Sequence, residues 1–189
     1  MTPPVVQVDL PAWAAAFEPV GQTFAGDSER MQLAVDLARE NVTRQTGGPF
    51  GAAIFEGDTG KLVAIGVNSV VRLNNCALHA EMVAFMRAQA ALGSYSLGLP
   101  GMPSHDLFTS CEPCAMCLGA VLWSGVRRVV FAARRDDALR LSFDEGPVFP
   151  ESFAYLRRRG IRIEGGPLRE AARQVMEHYR SAGGAIYNG

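Results

Sequence analysis

An imidazole, two thiols and a spare carboxylate stand in this chain at spacings that suit a metal ion. His79-Ala80-Glu81 is followed further on by Pro113-Cys114-Ala115-Met116-Cys117. Residues 78–92 (LHAEMVAFMRAQAAL) contain no Gly or Pro and are rich in Ala, Met and Leu, which predicts a helix with His79 and Glu81 in its first turn. After the apolar run Leu107-Phe108-Thr109, Pro113 falls where a first helical position is expected. Residues 115–123 then continue as a second helix, with Cys114 and Cys117 three apart on one face. Helix starts carry unpaired N–H groups and a positive dipole end, which lower thiol pKa values and favour an anion beside the metal. Zinc held by three protein ligands keeps a fourth position for water, which separates a hydrolytic site from a closed structural one. Glu81, outside the ligand set, is then the proton carrier.

Taken singly, these signals are weaker. A His near an apolar helix is commonly a core residue, and an isolated C-x-x-C serves structural zinc or redox chemistry. Their order and combination favour the catalytic reading. Cys111 forms a second C-x-x-C with Cys114, and as a fourth ligand it would close the site. It precedes Pro113 at a strand-to-helix turn, so the helix that aligns the other two thiols does not set its direction. Cys76 is expected to be a small buried hydrophobe or a pocket wall.

At 189 residues and 48% hydrophobic content the chain can bury a proper core, and one domain over residues 1–189 is the simplest organisation. Residues 1–25 form an N-terminal extension and residues 166–189 a C-terminal helix and tail. No apolar run suggests a membrane span and no basic-then-apolar start suggests a signal peptide. Four cysteines, three of them clustered in sequence, fit metal chemistry in a reducing cytoplasm. A net charge of −1 supplies no strong field for phosphate backbones, which makes nucleic acid an unlikely partner. Basic clusters at Arg127-Arg128, Arg134-Arg135 and Arg157-Arg158-Arg159 lie among acids such as Asp136, Asp137 and Glu151, as on a solvated mixed-charge surface.

Helices are expected at residues 28–41, with Asp27 or Ser28 as N-cap, at 152–159 and at 167–181. Strands are expected at residues 52–55 and 62–67 around the turn Gly57-Asp58-Thr59-Gly60, and at 107–110, 129–132 and 161–163. Strands alternating with helices point to an α/β sandwich with a sheet at its centre. Residues 93–104 and 136–150 are expected to be long loops, the second a candidate lid.

The H-x-E and P-C-x-x-C pair is the mark of zinc deaminases. With Gly48-Pro49-Phe50-Gly51, Asn68, SCEPCAMCLGA from Ser110 and Val129-Val130-Phe131-Ala132-Ala133, residues 26–165 resemble the cytidine deaminase-like fold, in the branch of bacterial guanine deaminases and tRNA adenosine deaminases. That resemblance implies a three-layer α/β/α sandwich with a central mixed five-stranded sheet. Phe131-Ala132-Ala133 and Phe143-Asp144-Glu145 look more like guanine deaminases, and residues 136–141 (DDALRL) lack the Asp-x-Lys-x-Gly segment typical of the tRNA enzymes. Asn74-Asn75-Cys76-Ala77-Leu78 departs from the Asp-Pro-Thr that both groups usually carry before the His-Ala-Glu, which touches one pocket wall.

The resemblance implies Zn2+ on His79, Cys114 and Cys117, with Glu81 moving protons while guanine is hydrolysed at C2 to xanthine and ammonia. Asn68, Phe50 and Ala80 form the expected base-binding set, Asn68 by donating to and accepting from a purine edge and Phe50 by stacking or walling it. Glu145 is expected to accept from guanine's N1 and 2-amino donors and to carry protons beyond the reach of Glu81. Trp123 is read as core or pocket lining, and Tyr187 resembles an aromatic that some members bring over the pocket. A homodimer is implied, with or without exchange of C-terminal segments. The competing readings are a tRNA adenosine deaminase, a cytosine or cytidine deaminase, and a non-catalytic zinc-binding protein; amino-triazines are close analogues of guanine's amino-bearing ring.

Overall fold

The structure is a computed structural model that describes residues 5–18 and 21–187. Residues 1–4, 19 and 20 of the expected extension, and 188 and 189 of the expected tail, lie outside the described residues. A short 3-10 helix, Ala12–Phe17, leads into α1 (Asp27–Thr43). The hairpin β1 (Gly51–Glu56) and β2 (Leu62–Val67) follows, then α2 (Val70–Leu73), α3 (Ala80–Leu92), β3 (His105–Cys111) and α4 (Ala115–Ser124). The chain ends with β4 (Arg128–Ala133), α5 (Arg135–Leu139), α6 (Pro150–Arg158), β5 (Arg162–Gly165) and α7 (Arg169–Ser181).

The five strands form one sheet in the order β2-β1-β3-β4-β5. β1 pairs antiparallel with β2 and with β3, while β3–β4 and β4–β5 are parallel, so the sheet is mixed as expected. Alternate side chains leave each strand on opposite faces and feed two apolar layers. Ala53, Phe55, Phe108 and Val130 meet Met31, Ala34 and Ala38 of α1 and Val175 and Met176 of α7. On the other face Ile54, Leu107 and Val129 meet Ala84 and Ala88 of α3, Leu118 and Val121 of α4 and Leu156 of α6.

Several expected boundaries shift. Gly26, in an extended conformation, is the N-cap of α1 in place of Asp27 or Ser28, and the acids Asp27 and Glu29 occupy the positive first turn. α6 starts at Pro150, which needs no N–H partner at a first helical position. α7 starts at Arg169 because Leu168 takes a left-handed conformation at φ 68°. The region 136–150, expected to be one irregular loop, overlaps α5, which the Asp137 carboxylate caps through the Arg134 N–H at 2.9 Å. Of the basic clusters, Arg128 is paired with Asp27 and Glu164.

Candidate active site

α3 and α4 both begin at one edge of the sheet and aim their N-termini at the same place. His79 is the N-cap of α3, in extended conformation just before the helix rather than inside its first turn, and Glu81 follows within that turn. Cys114 is the N-cap of α4 and Cys117 lies one turn inside it. Pro113 therefore stands before the N-cap and Ala115 takes the first helical position, because Cys114 must leave helical geometry for its sulfur to turn back toward His79. The Cys114 Sγ lies 3.5 Å from His79 Nδ1, and one donor atom from each of His79, Cys114 and Cys117 falls within 4.8 Å of the others. Tetrahedral zinc with Zn–S near 2.3 Å and Zn–N near 2.0 Å needs donors separated by roughly 3.5–3.8 Å, so the trio fits the ion. Cys111 is buried, turns its thiol 3.9 Å from the Arg134 carbonyl, and stands outside that donor group.

The electrostatics follow from burial and crowding. A hydrogen bond with Cys117, supported by His79, holds the Cys114 thiol down at about 4. Cys117 is pushed well up by the same sulfur and by burial. Burial opposes charge on His79, but the hydrogen bond with Cys114 and the acids Glu81 and Glu145 outweigh it and raise the imidazole. Burial raises Glu81, with Cys114 adding to it. Glu145 is raised to about 8, first by burial and then by Cys114 and Glu81. A dication among these groups favours the thiolates, the carboxylates and the neutral imidazole.

The remaining expected residues converge on the same small cavity, with one exception. Phe50, Asn68, His79, Glu81, Cys114 and Glu145 line it, and its volume is about 20 Å³. Asn68 is fully buried just past β2; its N–H donates to the Phe50 carbonyl at 3.1 Å, and its Nδ2 has no hydrogen-bond partner among the described residues. Phe50 sets its edge on Phe143 with ring centres 5.2 Å apart. Glu145 is held there because its carbonyl accepts the Ala115 N–H at 2.9 Å, one of the unpaired donors at the start of α4. Ala80 is the exception. Its side chain is fully buried in the apolar layer with Ile54 and Leu107 and does not line the cavity.

Tyr187 lies at the cavity, as the resemblance implies, while the expectations for Trp123 and Cys76 change. Tyr187 lines the cavity from the same chain, 5.4 Å from the Phe143 ring and 6.3 Å from the His79 ring. Trp123 is 79% exposed, neither core nor pocket, because its position on α4 faces away from the sheet. Cys76 is exposed in the turn before α3. Sequence reasoning missed Glu112, which lines the cavity and accepts the Arg135 N–H at 3.1 Å; its place between Cys111 and Cys114 was the available signal.

A family profile described as the cytidine and deoxycytidylate deaminase zinc-binding region matches residues 25–133. The chain belongs to this deaminase family. Among relatives of the family, guanine deaminase from Bacillus subtilis (strain 168) is 40% identical over 121 residues, covering 64% of this chain and 73% of that protein. The solved structure of NE0047 in complex with 2,6-diaminopurine matches with a TM-score of 0.91 and 42% identity, over 97% of each chain. A structure of guanine deaminase from Nitrosomonas europaea matches with a TM-score of 0.89 and 41% identity, over 94% of this chain and 97% of that one. More distant is the tRNA-specific adenosine deaminase of Buchnera aphidicola subsp. Schizaphis graminum (strain Sg), at 26% over 119 residues, covering 63% of this chain and 72% of that protein. The mixed five-stranded sheet with helices on both faces is the deaminase fold of these neighbours.

Proposed function

We propose that this deaminase hydrolyses guanine to xanthine and ammonia. The observation that carries the reading is the meeting of the zinc-type donor trio, two buried acids and the partnerless Asn68 amide in one cavity. His79, Cys114 and Cys117 would hold zinc, which supplies Lewis-acid activation of water when bound. Water oxygen bonds to guanine C2, the bond from C2 to the exocyclic nitrogen breaks, and the amine leaves as ammonia. Glu81, buried against the trio, takes one water proton and hands it to the ring nitrogen beside C2, then takes the proton of the new C2 hydroxyl and gives it to the departing amine, so that C2 is left as the carbonyl of xanthine. Glu145, buried at the cavity, accepts hydrogen bonds from the N1 and 2-amino donors. Asn68 Nδ2 donates to an acceptor on the purine edge, and Phe50 walls the ring.

A homodimer is part of the proposal, supported by Met116 and Trp123, both exposed and two turns apart on the outer face of α4. Four free cysteines support a reducing, cytoplasmic setting in purine metabolism. Among the described residues no helix is long and apolar enough to cross a membrane. The test is ammonia release by zinc-loaded protein from guanine, adenine, cytosine, their nucleosides and tRNA. Guanine should yield ammonia and xanthine without RNA; turnover confined to tRNA would overturn the reading.

A further inference from the structure

The segment before residue 25 lies outside the family profile, yet it reaches the base-binding loop through a continuous line of hydrogen bonds. Trp13 Nε1–H donates to Thr46 Oγ1 at 3.0 Å, and the Thr46 hydroxyl donates to Asn41 Oδ1 at 2.8 Å. Asn41, fully buried near the end of α1, spends both Nδ2 protons on backbone carbonyls, those of Gly48 and Asn68, each at 2.9 Å. These carbonyls belong to the two pieces of chain that form the base-binding wall, Gly48-Pro49-Phe50 and Asn68. They are packed so closely that a Cβ on Gly47 would stand 2.0 Å from the Asn68 carbonyl oxygen. A second line arrives from the other side. Arg72 grips the Asp9 carboxylate at 2.8 Å and the Asp9 carbonyl at 2.6 Å, and donates to Ser69 Oγ at 3.1 Å; the Ser69 hydroxyl donates to the Val67 carbonyl at 3.2 Å.

We propose that Asn41, Thr46 and Trp13 are positioning residues, through which the N-terminal segment braces the Gly48–Phe50 loop and Asn68 in the geometry that receives the base. The proposal rests on the reading of Asn68 as a base contact. The logic is orientational. Asn68 needs its amide aimed into the cavity, but among the described residues its side chain makes only one weak internal bond, from the Val70 N–H to Oδ1 at 3.4 Å. Its aim is therefore set by its backbone, whose carbonyl Asn41 holds and whose N–H the Phe50 carbonyl holds at 3.1 Å. Asn41 can present both protons there only while its oxygen is kept toward Thr46, since an amide flip would turn that oxygen onto two carbonyl oxygens. The Thr46 hydroxyl, its proton given to Asn41, needs a donor for its own lone pair, and Trp13 supplies one.

The test uses Thr46→Val, which removes only the hydroxyl, Trp13→Phe, which removes the indole N–H while keeping an aromatic ring against the first apolar layer, and Thr46→Ser, which keeps the hydroxyl. Zinc-loaded proteins are compared by guanine kinetics, zinc stoichiometry and amide hydrogen exchange. Thr46→Val and Trp13→Phe should raise KM for guanine about three- to tenfold, the effect of one lost neutral hydrogen bond, with kcat within about twofold and zinc unchanged. Exchange should quicken in residues 47–50 and 67–70 but not in 79–83 or 114–118, and Thr46→Ser should match the wild type. Unchanged exchange in 47–50 and 67–70 in both variants overturns the brace, as does a rise spread equally over α3 and α4. Wild-type protein inert toward guanine would overturn the proposed function, while the exchange measurement would still decide the brace.

Discussion

Two buried acids share the cavity, and what each can do depends on its surroundings. Glu81 sits against the metal-binding trio, so Glu81→Gln should keep stoichiometric zinc and lose about a thousandfold or more in kcat, within the range of a general acid–base group. Metal analysis beside steady-state kinetics checks this, and retained turnover would remove Glu81 from proton transfer. Glu145 permits a second test in the metal-free protein. Its folded pKa of about 8 exceeds the usual 4.5, so the folded chain holds a proton that the unfolded chain gives up. The stability this contributes is full below about pH 4.5 and is lost as pH rises towards 8. Metal-free Glu145→Gln, which cannot ionise, should therefore gain on the wild type across that window, by an amount on the order of a few kcal/mol at its upper end. Urea midpoints of chelator-stripped proteins at pH 5 and pH 8 measure it, and a difference that does not change with pH would refute the burial argument. His79, Glu81, Cys114 and Cys117 were legible in the sequence because their spacing is local to two helix starts. Glu145 became legible only through the resemblance, since a lone loop acid has no spacing to reveal it. Ala80, expected in the base-binding set, has its side chain in the apolar layer, since adjacency to two pocket residues does not fix which way a side chain points.

At the scale of elements, the His-Cys-Cys donor trio is split between two helices, so its geometry depends on how each is seated on the sheet. Gly66 of β2 is the seat of α3: a Cβ there would lie 2.1 Å from the Ala80 carbonyl oxygen and 2.5 Å from the Ala84 nitrogen, both backbone atoms. Gly66→Ala must lift the start of α3, and with it His79, away from the two sulfurs on α4. The variant should lose more than about 2 kcal/mol of stability, as overpacking against rigid backbone does, and should bind zinc more weakly. Denaturant melts and a competitive zinc titration report the two effects, and wild-type zinc affinity would show that α3 is not held by this contact. The hairpin strands were legible from the turn Gly57-Asp58-Thr59-Gly60 between two apolar runs, and the long helices from apolar spacing. What escaped was governed by contacts distant in sequence or by backbone conformation. Leu168 at positive φ delays α7, and α5 exists because Asp137 caps it and pairs with Arg169 from α7.

Over the whole molecule, the segment around Trp13 reaches the loop beside the cavity and Tyr187 reaches the cavity itself, which no local pattern discloses. The C-terminal tail folds back on α7: Gly184 N–H donates to the Tyr179 carbonyl at 2.9 Å, and Tyr179 Oη donates to the Ala185 carbonyl at 2.7 Å. This return delivers the Tyr187 ring onto Phe143, with its hydroxyl buried and unpartnered among the described residues. A cavity of about 20 Å³ holds roughly one water and no purine. The position of Tyr187 over so small a cavity predicts that its ring moves aside for a base and covers it once bound, excluding water that would weaken the charge interactions around Glu81 and Glu145. Tyr187→Phe should accordingly keep near wild-type kcat/KM for guanine, whereas Tyr187→Ala should lose about tenfold or more while still binding zinc. Steady-state kinetics on the two variants separate the possibilities: an equal loss in both would assign the work to the phenol oxygen, and no loss in either would mean that the tail does not shield the reaction.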